Sequence, residues 1–370
     1  MNRTLKQKNW LFSGKIDLGL LFLPVWLTWI VCFSLSQEVL DAKVPLWVWV
    51  IFILGIDVGH VWSTIFRTYF DKEEFQNHKP LLIFSPILAF SVLFVIALFS
   101  QAWFWRIMAY LALYHFIKQQ YGFLALYKAR SGDFMPKKIF RDKWVIYFSM
   151  IYPVLYWHFS GDRAFNWFID GDFLLLNSGD FFKKVTSLTN VLYWLILLGW
   201  LGEELLNRHQ KKEGFFTGKI LWMLTTALNW YLGIVYFNSD LAFTLTNVIA
   251  HGIPYFTLIF FYVEKKKTLV RPQSANGRLG VLLHVFFMLA VVLFFAMGEE
   301  YFWDMLLYRE KGVFFESLFP YPVQAFNILW VQAFCLAFLS VPQVAHYIID
   351  GYIWKGNPKN PYLKKVFLNS

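Results

Sequence analysis

The chain has 370 residues, of which 58% are hydrophobic and only 16% are charged, and its net charge is +10. Soluble domains contain about 25% charged residues, and a single soluble core stops growing at about 250–300 residues. The composition therefore excludes a water-soluble globular protein and predicts an all-α polytopic membrane protein. The two cysteines, Cys32 and Cys335, lie far apart in apolar stretches, which excludes a disulfide framework or a cysteine zinc site.

A helix needs about 20 mainly apolar residues to cross the hydrocarbon core of a bilayer. Ten segments meet this requirement, so we expect one domain of about ten transmembrane helices over residues 1–370. An outer-membrane barrel is excluded, because its strands would alternate apolar and polar residues over about ten positions. In chain order, the predicted spans are 16–36, 44–66, 80–100, 102–127, 144–160, 185–205, 218–237, 241–263, 279–298 and 323–354.

The basic residues indicate how the chain is oriented in the membrane. With the N-terminus in the cytoplasm, most of the 34 Lys and Arg residues fall in the predicted cytoplasmic segments, as the positive-inside rule requires. This asymmetry predicts that both termini are cytoplasmic, and we expect the protein in a bacterial inner membrane. The positive charge thus reflects orientation and contact with anionic lipid, and we expect no nucleic-acid partner.

Two connections on the predicted external side are long, 161–184 and 299–322. An acidic loop can bind a cation, but such a composition is also typical of a solvated connection. We interpret both as solvated external loops. Their acidic residues are Asp162, Asp170, Asp172 and Asp180 in the first loop, and Glu299, Glu300 and Asp304 in the second.

Four histidines fall within predicted spans that run from the outside to the cytoplasm: His60, His115, His251 and His346. At a rise of 1.5 Å per residue, all four lie in the cytoplasmic half of the membrane. Ionisable side chains inside a membrane are costly, and they mark functional sites. We therefore expect the four histidines to meet in one layer and to ligate a metal.

Polar residues accompany each histidine three or four positions away, a spacing that places them on one face of a helix. Asp57 and Asp350 are placed to ligate the metal directly or to orient a histidine. Lys118 and Tyr255 are candidates for proton transfer in catalysis. The candidates for binding a cofactor are Asp57, Arg67, Gln119, Asn247 and Gln343.

Histidine clusters of this kind suit a transition metal. Neutral imidazole binds iron, zinc and copper well, and a ligating histidine usually donates its second ring N–H to a carboxylate or a carbonyl. The pattern predicts a divalent metal, with iron favoured over zinc, and haem held by paired histidines is an alternative. In the remaining interpretation no metal is bound, and each histidine makes one hydrogen bond between packed helices.

Single histidines on several transmembrane helices, with the AHGIPY stretch around His251, resemble the membrane β-carotene-cleaving dioxygenases of the Brp/Blh type. This resemblance implies a non-haem iron held by histidines within the bilayer and a lipophilic substrate that enters from the side. The dense HxxxH and HxxHH boxes of fatty-acid desaturases and alkane hydroxylases are absent from the sequence.

The sequence thus favours a membrane-embedded metalloenzyme, a non-haem iron oxygenase acting on a lipid or isoprenoid. A zinc-dependent lipid hydrolase is an alternative, in which three histidines and an aspartate bind zinc and the zinc lowers the pKa of its bound water to about 7. A proton-coupled transporter, a haem-carrying electron-transfer protein and a purely structural membrane protein are the non-enzymatic alternatives. The sequence has no Walker loop, GxGxxG, GxSxG or HExxH motif, so nucleotide chemistry, serine-elbow hydrolysis and zincin activity are unsupported.

Overall fold

The computed structural model describes residues 9–161, 163–176, 179–211, 214, 217–270, 277–321 and 327–368. Every regular element in this part of the chain is helical. Short helices cover Gln37–Asp41, Lys72–Asn77, Gly312–Phe315 and Pro361–Phe367. The long helices are α1 Gly14–Ser34, α2 Leu46–Phe66, α3 Lys79–Phe99, α4 Gln101–Ser131, α5 Pro136–Phe159, α6 Asp180–Gln210, α7 Gly218–Trp230, α8 Asp240–Val270, α9 Arg278–Trp303 and α10 Leu329–Ile353.

Within the described residues, seven helices are long and apolar enough to cross a membrane: α1, α2, α3, α6, α8, α9 and α10. The fold is therefore that of an all-α, multi-pass membrane protein, as the composition predicts. The predicted spans 102–127, 144–160 and 218–237 are also helical, but α4, α5 and α7 are not among these seven. Ten spans with both termini in the cytoplasm stay a prediction, and the basic segment 1–8 lies outside the described residues.

The described helices divide into two compact units, and the single domain expected from the sequence stays a prediction. Both α4 and α8 contribute residues to both units, because the divisions fall within these helices. Unit 1 takes its residues from Met1–Pro45, Leu113–Pro254 and Phe367–Ser370, and unit 2 takes its residues from Leu46–Ala112 and Tyr255–Val366.

In unit 1, polar groups of α7 are hydrogen-bonded to side chains on other helices. Trp29 on α1 donates its indole N–H to Asn229 Oδ1 at 3.0 Å. Tyr193 on α6 donates to the carbonyl oxygen of Ala227 at 2.8 Å, and its ring lies 5.0 Å from that of Tyr152 on α5. Because a buried polar group without a partner costs free energy, these bonds help to fix how α1, α5 and α6 pack on α7.

A buried ion network in unit 1 links α4, α5, α6 and α7. We call it the Asp142 network. Asp142 is fully buried and pairs with Lys128, with Arg141 Nη2 at 2.7 Å and with Lys219 Nζ at 3.0 Å. Although burial opposes ionisation, the charge of Lys219 and the hydrogen bonds from its neighbours hold the pKa of Asp142 well below its usual value. The members of the network are Lys128, Asp133, Arg141, Asp142, Glu204 and Lys219.

In unit 2, α3 packs along α10, and α2 packs against α9. A Cβ atom added at Gly59 of α2 would lie 3.2 Å from the Phe256 ring and 3.3 Å from Val292. Glycine therefore permits a close approach of α2 to its neighbours directly before His60. The buried core at this point consists of Phe66, Tyr255, Phe256, Ile259, Met288 and Val292.

Helix α2 changes its winding where it carries the first histidine. It is π-helical over Trp49–Val58, α-helical over Gly59–Ser63 and 3₁₀-helical over Thr64–Phe66. π-helical turns are rare and are frequently found at functional sites. The α-helical spacing of three or four residues does not hold across such a change. It therefore does not predict which side chains of α2 share a face with His60.

Both predicted external loops contain more structure than a solvated connection. Helix α9 is followed by a π-helical segment, Asp304–Tyr308, so the predicted loop 299–322 begins as helix. In the predicted loop 161–184, Asp172 is buried, and its carboxylate accepts the backbone N–H groups of Trp167, Phe168 and Ile169 at 2.6–3.2 Å. Burial raises the pKa of Asp172, and these hydrogen bonds oppose that effect. Asp162 and the side chain of Asp180 lie outside the described residues.

Candidate metal centre

The first histidine pair consists of His60 on α2 and His346 on α10. Their ring centroids lie 5.2 Å apart with the ring planes at 77°, and both side chains are buried. The ring of Tyr255 stands perpendicular to the His346 ring at 5.0 Å. The pair thus lies in a closed, partly aromatic environment in which imidazole nitrogens have little access to water.

Hydroxyl and carboxyl groups surround this pair. Thr64 Oγ1 is hydrogen-bonded to His346 Nδ1 at 2.8 Å and to the Tyr255 hydroxyl at 2.9 Å. The Tyr255 hydroxyl donates to Asp350 Oδ1 at 2.6 Å. Asp350 lies beside His346, with 3.8 Å between Oδ1 and Nδ1. Tyr255 and Asp350, both predicted from the sequence, therefore lie beside His346, whereas Thr64 was not among the predicted site residues.

The second pair consists of His115 on α4 and His251 on α8. Their ring centroids lie 5.1 Å apart with the planes at 82°, and both side chains are buried. The Phe116 ring stacks on the His251 ring at 3.6 Å with the two planes nearly parallel. Stacking of this kind holds the imidazole in one plane and covers one of its faces. Phe116 was not among the residues predicted from the sequence.

Two glutamines of α4 attach it to α8 at the turn that carries His251. Pro254 has no N–H, so the carbonyl of Ala250, four residues earlier, loses its helical donor. Gln120 Nε2 donates to this carbonyl at 3.1 Å, and Gln119 Nε2 donates to the carbonyl of His251 at 2.8 Å. The proline therefore creates an acceptor, and the neighbouring helix supplies the donor that positions His251.

The four histidines form one cluster, as the sequence predicts. Each ring offers one nitrogen, and these four nitrogens all lie within 4.8 Å of one another. The four side chains are 0–5% exposed. Neutral imidazole is a good ligand for transition metals, so four imidazole nitrogens this close together could hold a metal ion.

The flanking acids are placed differently from one another. Asp57 Oδ1 lies 3.7 Å from His60 Nδ1, which is too long for a hydrogen bond, and its side chain is 31% exposed. Asp350 is 10% exposed and is bound to the Tyr255 hydroxyl. Both carboxylates therefore lie close behind a histidine, and direct ligation by Asp350 stays a prediction.

Arg67 lies near Tyr255 and Asp350 and is held by aromatic rings. It is fully buried, and its guanidinium lies between the rings of Tyr262 and Trp354, at 3.8 Å and 3.9 Å from their centroids. It also donates to the carbonyl of Ile353. Such cation–π stacking stabilises a buried guanidinium, so Arg67 contributes a positive charge to this part of unit 2.

Other residues predicted from helical spacing do not reach the rings. Lys118 is exposed, and its Nζ donates to the Tyr147 hydroxyl at 3.3 Å. Asn247 Nδ2 donates to the carbonyl of Phe243 on its own helix at 2.9 Å. Gln343 is hydrogen-bonded to Tyr347, one turn further along α10. Their catalytic and cofactor-binding roles stay predictions.

A cavity of about 240 Å³ lies beside the buried Asp172 turn. Trp157 and Phe173, 4.4 Å apart, are two of its aromatic lining residues. From Phe173 a series of ring contacts leads to His251: Phe173 to Trp167 at 6.0 Å, Trp167 to Phe116 at 5.0 Å, and Phe116 to His251 at 3.6 Å. The second histidine pair is therefore backed by aromatic rings.

Comparison of the chain with protein-family models, with curated proteins and with solved structures finds no match. The functional assignment therefore depends on the geometry and chemistry of the site.

Proposed function

We propose that the protein is a membrane-embedded metalloenzyme, a non-haem iron oxygenase that acts on a lipid or isoprenoid. The supporting observation is the convergence of four buried imidazole nitrogens within 4.8 Å of one another. Metal–nitrogen bonds are about 2.0–2.1 Å long, so opposite ligands of one ion lie about 4.2 Å apart. Small rotations of the rings are enough to bring the four nitrogens to that spacing.

The number of ligands favours iron over zinc. Four protein ligands close a tetrahedral zinc ion, as in structural zinc sites, whereas catalytic zinc keeps one position open. The four histidines would hold an iron ion, and iron, unlike zinc, would supply the activation of dioxygen. The histidines hold and orient the ion, and the ring of Phe116 on His251 helps to exclude water.

The charges beside the cluster suit a divalent cation. Four neutral imidazoles add no charge, and an uncompensated ion is costly in a medium of low dielectric constant. Asp57 and Asp350 each place a carboxylate within 4 Å of a histidine nitrogen. Together they balance the two positive charges of the ion, and Tyr255 is placed to exchange a proton with Asp350.

The surroundings of the site suit a lipophilic substrate. His60, His251 and His346 lie in helices that are long and apolar enough to span a membrane, and aromatic rings back both pairs. Such a site takes up apolar molecules from the bilayer, as the Brp/Blh resemblance implies. The distribution of basic residues predicts cytoplasmic termini, and a bacterial inner membrane stays a prediction.

Metal analysis of the protein purified in detergent tests the metal site. We expect about one iron per chain, and loss of that iron in His115→Ala and His251→Ala. His158→Ala is the matched control, because His158 lies outside the cluster and binds the carbonyl of Val154. Equal metal content in all four proteins would contradict the proposal.

Oxygen uptake tests the reaction. With β-carotene in micelles as the probe, we expect oxygen consumption that requires iron and is lost in His251→Ala. Zinc in the purified protein, with lipid ester hydrolysis that is independent of oxygen, would instead support the second candidate function, a zinc-dependent lipid hydrolase in which three histidines and an aspartate bind the zinc.

A further inference from the structure

Two exposed lysines, which we call the lysine pair, lie on the surface of unit 1 where α4 packs beside α5: Lys118 and Lys143. The rings of Tyr121 on α4 and Tyr147 on α5 stack at 5.3 Å, with 27° between their planes. Lys118 Nζ lies 5.7 Å and 6.0 Å from the centroids of these two rings. Lys143 Nζ lies 5.9 Å and 6.0 Å from them. Two positive charges therefore share one pair of tyrosine rings.

The charge of the lysine pair is not balanced by an acid in the part of the chain that the structure describes. Lys118 Nζ donates to the uncharged Tyr147 hydroxyl at 3.3 Å, and neither lysine of the pair forms an ion pair with a described carboxylate. In contrast, Lys128 and Lys219 both pair with Asp142. A cation–π contact at an exposed site stabilises an ammonium group only weakly. The lysine pair therefore presents a positive charge on this surface.

Exposed apolar side chains flank the lysine pair on both helices. On α4, Leu111 and Tyr114 are exposed, and they precede Lys118 by seven and four residues, so all three share one face. The exposed apolar residues of α5 recur at helical spacing and are 41–65% exposed: Phe140, Trp144, Ile151 and Leu155. Contiguous exposed apolar surface is typical of a contact with the membrane. The lysine pair thus lies within a surface suited to lipid acyl chains.

The length of α4 places the lysine pair near the boundary of the membrane. Helix α4 has 31 residues, so it is about 46 Å long at a rise of 1.5 Å per residue. The hydrocarbon core is only about 30 Å thick and takes up about 20 of these residues. With Gln101 at one boundary, the core ends close to Lys118 and Tyr121. Tyrosine is enriched at this level of a membrane, where the lipid phosphates also lie.

We propose that the lysine pair binds the phosphate of an anionic phospholipid. Lysine binds phosphate as a point charge on a flexible stem, so the two ammonium groups can turn to one headgroup. Basic surfaces beside transmembrane helices bind anionic lipid headgroups in this way. The acyl chains then lie along the exposed apolar side chains of α4 and α5, a contact that a free phosphate ion cannot make. This lipid site is independent of the proposed metal site.

Native mass spectrometry of the detergent-solubilised protein, titrated with phosphatidylglycerol, tests this proposal. We expect phosphatidylglycerol to bind more tightly than phosphatidylcholine, whose headgroup has no net charge. The affinity for phosphatidylglycerol should fall about fivefold in Lys118→Gln and in Lys143→Gln, and should stay near that of the wild type in Lys143→Arg. Lys365→Gln is the matched control, because Lys365 is also exposed and its Nζ lies 5.6 Å from the centroid of one tyrosine ring, that of Tyr362.

Three results would overturn the proposal. The first is equal affinity of the wild type for the two lipids. The second is an affinity for phosphatidylglycerol that is unchanged in both Lys118→Gln and Lys143→Gln, or reduced as much in Lys365→Gln. The third is displacement of phosphatidylglycerol by an equal concentration of inorganic phosphate, since the site would then bind a free anion. Because both lysines are exposed, we expect their replacement to leave the fold intact, and circular dichroism checks this.

Discussion

The Asp142 network and the histidine cluster bury polar side chains in opposite ways. In the network, each charge meets charges of opposite sign: Lys219 Nζ lies 2.9 Å from Asp133, 3.0 Å from Asp142 and 3.1 Å from Glu204. In the cluster, four bases of one kind lie together, and the carboxyl groups of Asp57 and Asp350 lie beside them. The charges of the network are therefore balanced by residues of the chain itself. The cluster, in contrast, has the ligand atoms that a metal cation would require.

This difference predicts that the two regions can be separated experimentally. Changes in the Asp142 network should alter stability without altering metal content, because its charges serve to join helices. Changes in the cluster should alter metal content, with an effect on stability that depends on the metal. The four predictions that follow test this separation.

The largest effect is expected from Asp142→Asn. This change leaves the buried charges of Lys128 and Lys219 without a main partner, and breaking a buried ion pair costs about 3–5 kcal/mol. Thermal unfolding in detergent measures the loss, and iron content should stay that of the wild type. Glu203→Gln is the matched control, because Glu203 also pairs with Arg141 but its side chain is 54% exposed, and exposed pairs contribute about 0–1 kcal/mol.

Iron should stabilise the wild type but not a cluster variant. At an iron concentration 100 times the dissociation constant, binding adds about 2.7 kcal/mol to the free energy of unfolding. His251→Ala should show no such gain, while Asp142→Asn should gain as much as the wild type. Unfolding of each protein with iron and with a chelator measures the difference, and an equal gain in His251→Ala would show that iron binds elsewhere.

A smaller loss of stability is expected when a neutral hydrogen bond beside His251 is removed. Gln120→Leu removes the donor to the Ala250 carbonyl, and an unsatisfied buried carbonyl costs about 1–3 kcal/mol. Pro254→Ala restores the helical N–H to that carbonyl, so Gln120→Leu should cost less in the Pro254→Ala background. A double-mutant cycle of unfolding free energies measures this coupling, and equal costs in the two backgrounds would refute it.

The smallest expected effect is the change in the free energy of unfolding per pH unit. Because the pKa of Asp142 is held below its usual value, its stabilisation is present above the unfolded-state pKa of about 3.9. It is lost as the pH falls toward the folded-state pKa, by at most about 1.4 kcal/mol per pH unit. Unfolding between pH 6 and the most acidic pH that the detergent sample tolerates should show this loss in the wild type and a flatter profile in Asp142→Asn.

The membrane class and the four histidines were predictable from the sequence for simple reasons. Apolar length sets the spans, and a rise of 1.5 Å per residue sets the depth of each histidine. Asp350 also follows from helical spacing, because it lies one turn after His346 in α10, whereas Tyr255, one turn after His251, contacts His346 and Thr64. The hydrogen bond from Gln120 to the Ala250 carbonyl was harder to predict. Pro254 in the sequence shows that the Ala250 carbonyl loses its helical donor, but it does not show which residue replaces that donor.

The orientation of side chains was less predictable. Lys118 is three residues from His115 but turns to Tyr147, because neighbours on a helix share a broad face without sharing a target. Phe116 stacks on His251 through a contact between helices that no local pattern records. In α2, the π-helical segment before His60 interrupts the α-helical spacing. The hydrogen bonds of Thr64 to His346 and Tyr255 therefore could not be predicted from the sequence.

X-ray absorption of the iron-loaded protein tests most directly whether the four histidines hold one metal. The account predicts four nitrogen neighbours at about 2 Å from the iron, with the outer-shell scattering of imidazole rings, and loss of this signature in His115→Ala and His346→Ala. A spectrum dominated by oxygen neighbours, or one unchanged in these two variants, would contradict it.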